Sequence, residues 1–243
     1  MLNSFTYKEY KYILKTLKKS YDFVDFQEAY TRVCNQQTAF VSIRHDIDVD
    51  LPAALHMAEI EYGLGVTAAY HILVSSDAYN IFSRNNRAII NKIKSFGHEI
   101  GLHYNPMCYR DEVKLADLLY EVSVLESALS VRVSSVSWHL VGSLTTVKNL
   151  ESGYLDATKP PFLNAQMRYF ADSRGRWGYG HPLLSPEFAV GYPLHICFHP
   201  MWWGDESSAP SSRLGSIIDR RNKNFKSSTI KEIDPSNESY ISK

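Results

Sequence analysis

Residues 39–50, AFVSIRHDIDVD, combine the two features that decide the fold. The first half of this stretch, AFVSIR, is short and rich in apolar and β-branched residues, which predicts a buried strand. Acidic residues follow at once, at Asp46, Asp48 and Asp50. In parallel α/β sheets and barrels, functional side chains lie where the strands end. The stretch therefore predicts an α/β protein with a site at the carboxyl ends of its strands.

Strand-like and helix-like runs alternate along the rest of the chain. Strands are predicted at residues 39–44, 66–74, 99–102, 131–138, 169–171 and 194–198, and helices at 7–18, 51–62, 85–96 and 111–129. Such alternation implies βαβ units and a parallel sheet. We expect residues 1–221 to form a single domain and residues 222–243 to form a polar C-terminal tail outside the core.

The composition restricts the classes of function. Of 243 residues, 44% are hydrophobic and 21% are charged, and 26 basic residues balance 26 acidic ones. This balance argues against a nucleic-acid partner and against a basic membrane-binding patch. The three cysteines have no paired spacing, which argues against a disulfide framework and a cysteine-based zinc site. Residues 1–20 are too charged for a signal peptide, and no apolar run is long enough for an integral membrane segment, so a cytoplasmic location is expected.

The acidic residues after the first strand are candidates for metal binding. Alternate residues of an extended chain point the same way, so Asp46 and Asp48 can converge. Carboxylates that are brought together repel unless a cation or a shared proton relieves them. A hard or borderline metal ion meets that need. Asp50 has a simpler interpretation as the N-cap of the following helix.

Histidines stand at the ends of three further predicted strands, at His103, His139 and His199. His103 is a ligand candidate because it lies at the carboxyl end of its strand. His98 lies at the opposite end of the same strand, and we expect it to pack or to form hydrogen bonds there. One aspartate and three histidines at four strand ends are hard to explain by packing alone.

Aromatic and polar residues near these strand ends are candidates for substrate binding. Trp202 and Trp203 can form a wall on which a sugar ring stacks, or they can pack in the core. The segment DSRGRW, residues 172–177, follows another predicted strand. Within it, Arg174 can orient a carboxylate or form a solvated ion pair of little energetic value.

The chain resembles the polysaccharide deacetylase family, also called the NodB-homology or carbohydrate esterase family 4 group, in its divergent HDxD branch. The resemblance rests on an ordered set of motifs: RHDID at 44–48, GHEIGLHYNP at 97–106, SWH at 137–139, DSRGRW at 172–177 and HPMWW at 199–203. It covers residues 39–204. It implies a distorted, incomplete (β/α) barrel and a metal-dependent hydrolase that acts on a linear amide.

The resemblance also implies roles for the metal-site residues. Asp46 corresponds to the general base and Asp48 to the metal-binding carboxylate. The first histidine of the second motif maps to His103, whereas Met107 stands in place of the second histidine. Methionine is a soft, weak ligand that does not suit a hydrolytic metal. We predict that His139 is the missing ligand, with Asp46 as the alternative.

Later motifs complete the expected site. The family's general acid maps to His199, and Asp172 and Trp177 resemble residues that support the site or contact substrate. Many relatives carry Arg and Pro in the third motif, where this chain has Leu140 and Val141. The arginine that tunes the base is therefore not found at that place. The other residues that we expect to contact substrate or support the ligands are His45, Tyr104, Asn105, Arg174, Trp202 and Trp203.

The predicted function is removal of an acetyl or formyl group from an amino sugar or sugar precursor in surface-polysaccharide biosynthesis. The expected cofactor is a divalent metal, with Zn as its expected identity, and the expected partner is a small-molecule or glycan substrate. Because of Met107, a barrel that binds carbohydrate but has lost hydrolysis is one alternative. A hydrolase of esters or glycosidic bonds is another, although Asp46 and Asp48 are too close in sequence to flank a sugar.

Overall fold

The computed structural model of the chain describes residues 2–109, 115–139, 153–163 and 166–233. The chain divides into two compact units between Ser207 and Ser208. In the described residues, the first unit carries the sheet and the second contains one helix, α7 (Pro210–Ile233). Residues 222–233, which the sequence analysis assigns to a polar tail, form the second half of this helix. The domain boundary at residue 221 stays a prediction.

The first unit alternates strands and helices. Its strands are β1 (Asp22–Phe23), β2 (Phe40–Ile47), β3 (Ala69–Ile72), β4 (Glu99–Tyr104), β5 (Ser135–Trp138), β6 (Leu155–Asp156), β7 (Arg168–Ala171) and β8 (Leu194–Phe198). Its helices are α1 (Tyr7–Leu17), α2 (Phe26–Cys34), α3 (Leu51–Leu64), α4 (Arg84–Ser95), α5 (Leu115–Leu129) and the short α6 (Pro186–Ala189). None of the helices in the described residues is both long and apolar enough to cross a bilayer.

Local sequence signals set the ends of α3, the helix that follows the acidic stretch. The side chain of Asp50 accepts a hydrogen bond from the backbone N–H of Ala53 at 3.2 Å, which confirms its interpretation as an N-cap. Pro52 lies in the first turn, where its missing N–H is tolerated. Gly65 ends the helix with φ at 62°, a conformation that glycine adopts without steric cost.

The strands pair in parallel in one curled, open sheet. Their order is β6-β5-β4-β3-β2-β8-β7, and β1 pairs with the start of β2. Among the described strands, no pairing joins β6 to β7, so the barrel is not closed. This confirms the predicted α/β fold with a distorted, incomplete (β/α) barrel.

The side chains of β2 alternate between the helix-covered face of the sheet and the barrel interior. Ile43 and Ile47 join the main hydrophobic core, to which α1, α3, α4 and α5 also contribute. Ser42, Arg44 and Asp46 point into the interior and are buried there. The interior is therefore polar at this strand, unlike the continuous apolar packing that is usual for buried parallel strands.

An apolar plug closes the barrel interior near the starts of β2 and β3. Its centre is Phe26 of α2, whose ring packs edge-on against Phe162 with centroids 5.0 Å apart. The same ring contacts the interior histidines His71 and His195, with centroids 6.0 and 5.3 Å away. The plug therefore covers the polar interior residues on the side opposite the carboxyl ends of the strands.

Several predicted elements differ from the observed ones in length. Strand β2 continues to Ile47, so Asp46 lies inside the strand and not after it. Strand β5 begins at Ser135 and is shorter than the predicted strand from residue 131. Helix α5 begins at Leu115 in the described residues, and positions 111–114 of the predicted helix lie outside them.

Candidate active site

Three side chains with metal-binding atoms meet at the carboxyl ends of β2, β4 and β5. Asp48 Oδ1 lies 3.2 Å from both His103 Nε2 and His139 Nδ1, and the two ring nitrogens are 3.0 Å apart. Around an ion with ligands at about 2.1 Å, neighbouring ligand atoms lie about 3.0 Å apart in octahedral and about 3.4 Å apart in tetrahedral geometry. These three atoms therefore have the spacing of ligands on one face of a divalent ion.

The hydrogen bonding of Asp48 also fits a bound cation. Its Oδ1 atom is buried and makes no hydrogen bond of good geometry within the described part of the chain, although two ring nitrogens lie at 3.2 Å. Burial alone would raise the pKa of Asp48, but the rings of His103 and His139 hold it well below its usual value. A charged carboxylate and two imidazoles form a donor set that suits Zn²⁺ and similar ions.

His139, and not Met107, lies beside Asp48 and His103. Met107 is 61% exposed at the rim, and His139, directly after β5, provides the third converging atom. Leu140 and Val141, which stand where many relatives carry the arginine and proline of the third motif, lie outside the described residues. The assignment of Asp48, His103 and His139 as ligands stays a prediction, now with a matching geometry.

Asp46 lies beside this triad as a buried, fixed carboxylate. Its Oδ1 is 2.9 Å from Arg44 Nε and accepts a hydrogen bond from the Ser137 hydroxyl at 3.1 Å. Its Oδ2 accepts a hydrogen bond from the Cys197 thiol at 3.3 Å. Burial alone would raise the pKa of Asp46, but the charge of the neighbouring Arg44 holds it well below the usual range. Asp46 is therefore ionised and placed to accept a proton.

Arg44 places a positive charge beside Asp46. Its guanidinium is buried, donates to the carbonyl of Ala157 at 3.1 Å and lies over the ring of Tyr169 at 5.9 Å. It precedes Asp46 by two positions on β2, so both side chains lie on the same face of the strand. The base candidate and its cationic partner thus come from one strand.

A carboxylate–histidine pair lies on the other side of β2 in the sheet order, at the ends of β7 and β8. Asp172 is fully buried and accepts hydrogen bonds from the ring Nδ1 of His199 at 2.6 Å, from the backbone N–H of His199 at 2.9 Å and from the indole of Trp203 at 2.6 Å. Burial alone would lower the pKa of His199, but the hydrogen bond to Asp172 and its charge raise it to about 9. His199 is therefore protonated at neutral pH.

The two sides of the site are close together. A ring nitrogen of His199, a carboxylate oxygen of Asp46 and the thiol of Cys197 all lie within 4.8 Å of one another. The protonated imidazole and the ionised carboxylate are thus near enough to act on one small chemical group. Burial raises the pKa of the Cys197 thiol, so this residue is a neutral hydrogen-bond donor to Asp46.

Two residues that we expected at the substrate site point to the other face of the sheet. His45 is fully buried under the helices, where it contacts Glu61 at 2.8 Å and stacks on Tyr70. Tyr104 is also fully buried in the main hydrophobic core. Each follows or precedes an interior residue on its strand, and neighbouring side chains on a strand face opposite ways. The structure therefore corrects both expectations.

The predicted aromatic wall is also smaller than expected. Trp203 is 2% exposed, and its indole N–H donates to Asp172, so it is a core residue that orients the carboxylate. Trp177 is half-buried and packs against Phe198, with ring centroids 5.7 Å apart. Trp202 is half-buried and stays a candidate for stacking on a sugar.

The two remaining polar candidates lie in turns. Arg174 is exposed and has a positive φ of 62°. The side chain of Asn105 accepts a hydrogen bond from the backbone N–H of Met107 at 3.1 Å, and so caps the short helical turn after β4. Their contact with substrate stays a prediction.

The barrel interior contains polar residues that were not identified from the sequence. They are Arg44, His71, Ser135, Ser137 and Cys197, and all are buried. Three of them each lie two positions before a predicted site residue: Arg44 before Asp46, Ser137 before His139 and Cys197 before His199. Extending the alternation of each strand inward from its site residue would have found these three.

Comparison with known proteins gives structural matches but no sequence matches. No family model and no curated protein sequence matches the chain. Its structure is similar to that of a family 4 carbohydrate esterase from Bacillus anthracis, with 14% identity, a TM-score of 0.41 and coverage of 76% of each chain. It is also similar to the Streptococcus pyogenes deacetylase PplD in complex with acetate, with 12% identity, a TM-score of 0.44 and coverage of 86% of this chain and 84% of that one.

A third similar structure is the chitin deacetylase from the fungal pathogen Colletotrichum lindemuthianum, with 15% identity, a TM-score of 0.42 and coverage of 76% of this chain and 83% of that one. One of the three is described as a family 4 carbohydrate esterase and the other two as deacetylases. At such low identity, the chemistry of this chain depends on which side chains it carries at its own strand ends.

Proposed function

We propose that the protein is a metal-dependent hydrolase that removes an N-acyl group, acetyl or formyl, from an amino sugar or sugar precursor in surface-polysaccharide biosynthesis. The observation that carries the proposal is the convergence of Asp48, His103 and His139 beside the ionised Asp46 and the protonated His199. A metal site, a base and an acid together form one set of groups that can hydrolyse an unactivated amide.

The residues that would hold a divalent ion are Asp48, His103 and His139, with Zn as its expected identity. Three protein ligands leave coordination positions open, as in catalytic and not structural zinc sites. When bound, such an ion polarises the acyl carbonyl and makes water acidic enough to lose a proton near neutral pH.

Asp46 acts as the general base. It takes a proton from the water whose oxygen forms the new bond to the acyl carbon. Arg44 and the Cys197 thiol hold both carboxylate oxygens in place, so the base needs no reorientation during the reaction. Because its pKa is low, Asp46 is ionised over the whole physiological range.

His199 acts as the general acid. As the bond between the acyl carbon and nitrogen breaks, the electron pair goes to nitrogen, and His199 donates the proton that makes the departing amine stable. Its Nδ1 is bound to Asp172, so the transferred proton comes from Nε2. A pKa of about 9 ensures that this proton is present at neutral pH.

Metal analysis and product assays test the proposal. Wild-type protein incubated with Zn²⁺ and then desalted is expected to retain about one ion per chain, and to release acetate or formate from N-acetyl or N-formyl amino sugars. Asp48→Ala is expected to lose both the ion and the activity. Asp50→Ala is the matched control, because this nearby carboxylate caps α3, and loss of the cap costs about 1 kcal/mol of stability.

Other outcomes identify the alternatives. Zinc bound without release of acid from any acylated sugar would favour a carbohydrate-binding barrel that has lost hydrolysis. Release of reducing sugar without acid would favour a glycosidase. Equal activity in wild type and Asp48→Ala would contradict the proposal itself.

We also propose that the reaction takes place in the cytoplasm on a soluble or lipid-linked precursor. All three cysteines are unpaired in the described structure, as expected for a protein of a reducing compartment. The substrate would then be a precursor of the surface polymer and not the finished polymer. Cell fractionation followed by deacylase assays on nucleotide-linked, lipid-linked and polymeric sugars tests this point, and activity on the polymer alone would contradict it.

A further inference from the structure

Ser137, in the middle of the barrel interior, contacts three residues of different function. Its Oγ lies 2.8 Å from His103 Nδ1, 2.8 Å from His71 Nδ1 and 3.1 Å from Asp46 Oδ1. The side chain is fully buried, so water does not compete for these contacts. Ser137 thus connects a proposed metal ligand, the proposed base and a histidine that has no part in the mechanism above.

The donor and acceptor roles in this cluster have one consistent assignment. A hydroxyl group donates one hydrogen and accepts two hydrogen bonds. The carboxylate of Asp46, which is paired with Arg44, can only accept, so it receives the Ser137 hydrogen. Both ring nitrogens must then donate to the Ser137 oxygen. His103 and His71 therefore each carry their hydrogen on Nδ1.

This assignment determines the tautomer of His103. With hydrogen on Nδ1, its Nε2 presents a lone pair to the point where Asp48 and His139 converge. A histidine that carried its hydrogen on Nε2 would block that point and would leave Ser137 with one donor too few. The tautomer that Ser137 enforces is the one that can bind a metal.

His71 holds Ser137 from the opposite side. With hydrogen on its own Nδ1, His71 accepts at Nε2 from the hydroxyl of Ser135, 3.0 Å away. Its ring lies in space that a side chain at position 101 would otherwise fill. A Cβ atom on Gly101 would lie 2.3 Å from His71 Cδ2 and 2.5 Å from its Nε2, so only glycine leaves room for the ring.

We propose that Ser137, supported by His71 in the space above Gly101, is a positioning residue that selects the metal-binding tautomer of His103 and orients Asp46. The inference rests on the proposed function, because it takes His103 as a ligand and Asp46 as the base. Histidine ligands are generally held through their second ring nitrogen, and loss of the partner weakens metal binding about 10- to 100-fold. No step of the reaction needs Ser137 to touch substrate.

Zinc affinity measured by competition with a chromophoric chelator is the main test. Ser137→Ala is expected to weaken zinc binding about 10- to 100-fold. Ser42→Ala is the matched control: it is the same substitution at another buried serine of the barrel interior, on β2. The Ser42 hydroxyl donates to the backbone carbonyl of Val24 at 3.1 Å, which is not part of the cluster, so zinc affinity is expected to stay close to that of wild type.

A second pair of variants tests the support from His71. Asparagine offers an amide N–H near the place of the histidine Nδ1, whereas leucine offers none. His71→Asn is therefore expected to retain most of the zinc affinity, and His71→Leu to lose affinity in the manner of Ser137→Ala. Gly101→Ala removes no polar group but displaces the His71 ring, so it is expected to weaken zinc binding as well.

Nitrogen-15 NMR of the zinc-bound protein provides a readout that a merely structural role would not change. In the wild type, the Nδ1 hydrogen of His103 is expected to exchange slowly with solvent. In Ser137→Ala, this hydrogen is expected to exchange faster because it has lost its acceptor. Should Ser137→Ala fail to fold, the contrast between His71→Asn and His71→Leu decides the question.

The possible failures are distinguishable. Wild type that binds no zinc would overturn the proposed function and this inference together. Wild type that binds zinc and hydrolyses amides, with a folded Ser137→Ala of unchanged affinity and unchanged His103 signal, would overturn the inference alone. Equal affinities of the two His71 variants would likewise overturn the role assigned to His71.

Discussion

At the scale of single residues, the chemistry depends on the different charge states of two buried groups a few ångströms apart. Asp46 stays ionised because Arg44 outweighs the effect of burial, and His199 stays protonated because Asp172 does the same for the imidazole. Pairs of titratable groups whose surroundings push their pKa values apart are typical of acid–base catalysis. The proposed base and the proposed acid are thus each paired with a different buried counter-ion, Arg44 for Asp46 and Asp172 for His199.

The acid role of His199 predicts a dependence on the leaving group. His199→Ala is expected to lower kcat for N-acyl sugars by about 10²- to 10⁴-fold, the usual contribution of a positioned acid. An activated aryl ester should lose much less, because a phenolate departs without a proton. Values of kcat/KM for both substrates, measured in wild type and in His199→Ala, test this. An equal loss on both substrates would argue for a binding role.

The Asp172–His199 pair also predicts the alkaline limit of activity. The acid must be protonated, so activity is expected to fall as the pH rises through the His199 pKa of about 9. In Asp172→Asn the ring loses its largest charge interaction opposing burial, while those with Asp48 and Asp46 remain, so the pKa of His199 drops. The falling limb of the kcat/KM profile is expected to move to lower pH in this variant. If kcat/KM fell at the same alkaline pH in Asp172→Asn as in wild type, a group other than His199 would control this limit.

At the scale of elements, the strands carry the chemistry and a short helix closes the barrel beneath it. Helix α2 inserts Phe26 under the interior histidines, so the polar cluster is shielded from water on that side. The ring is 1% exposed, and large buried rings contribute both transfer free energy and packing contacts. The polar interior thus depends on an apolar plug from a different element.

This arrangement predicts a large stability cost for removing the plug. Phe26→Ala is expected to lower the free energy of unfolding by about 3–5 kcal/mol. Phe82→Ala, at a phenylalanine that is 59% exposed, is expected to change it by less than about 0.5 kcal/mol. Urea denaturation monitored by tryptophan fluorescence measures both. Similar losses in the two variants would contradict the closing role of α2.

At the scale of the whole first unit, the start of the chain is tied to segments that come much later in sequence. Glu9 of α1 accepts hydrogen bonds from the backbone N–H groups of Asn3 and Phe5 at 2.6 and 2.9 Å, and it lies 3.4 Å from His181. Burial alone would raise the pKa of Glu9, but His181, Ser4 and the N–H of Asn3 lower it to about 2. The carboxylate thus joins the N-terminal segment to the region that follows β7.

This tie predicts a loss of stability in acid. Because the pKa of Glu9 is lower in the folded chain than its ordinary 4.5, its contribution is complete above pH 4.5 and disappears as the pH falls from there towards 2. The gap between the two pKa values corresponds to a contribution on the order of 3 kcal/mol. Glu9→Gln is expected to lose it at pH 7 and to show a flatter dependence between pH 4.5 and 2.

Thermal or urea unfolding across this pH range is the measurement. Glu59→Gln, at a carboxylate whose side chain is 51% exposed, serves as the control and is expected to follow wild type. A Glu9→Gln variant as stable as wild type at pH 7 would show that the N-terminal segment is held by other contacts.

Much of the fold was predictable because its signals are local. The apolar run before Asp46 predicted β2, and the Asp50 cap and Pro52 predicted the start of α3. Other elements were missed for local reasons too. Helix α2 has nine residues and only a few apolar positions, so its pattern is weak. Residues 222–233 are polar and carry no core signal, although they continue the helix α7.

The amino-acid sequence by itself determined which residue types stand at the strand ends and how side chains alternate along each strand. Only the tertiary structure decided that His139 meets Asp48 and His103, that Arg44 pairs with Asp46, and that His45 and Tyr104 face the helices. The physical reason is that spacing along one strand follows from backbone geometry, whereas distances between strands depend on register and on the curl of the sheet. Those two quantities are set by the packing of the whole barrel.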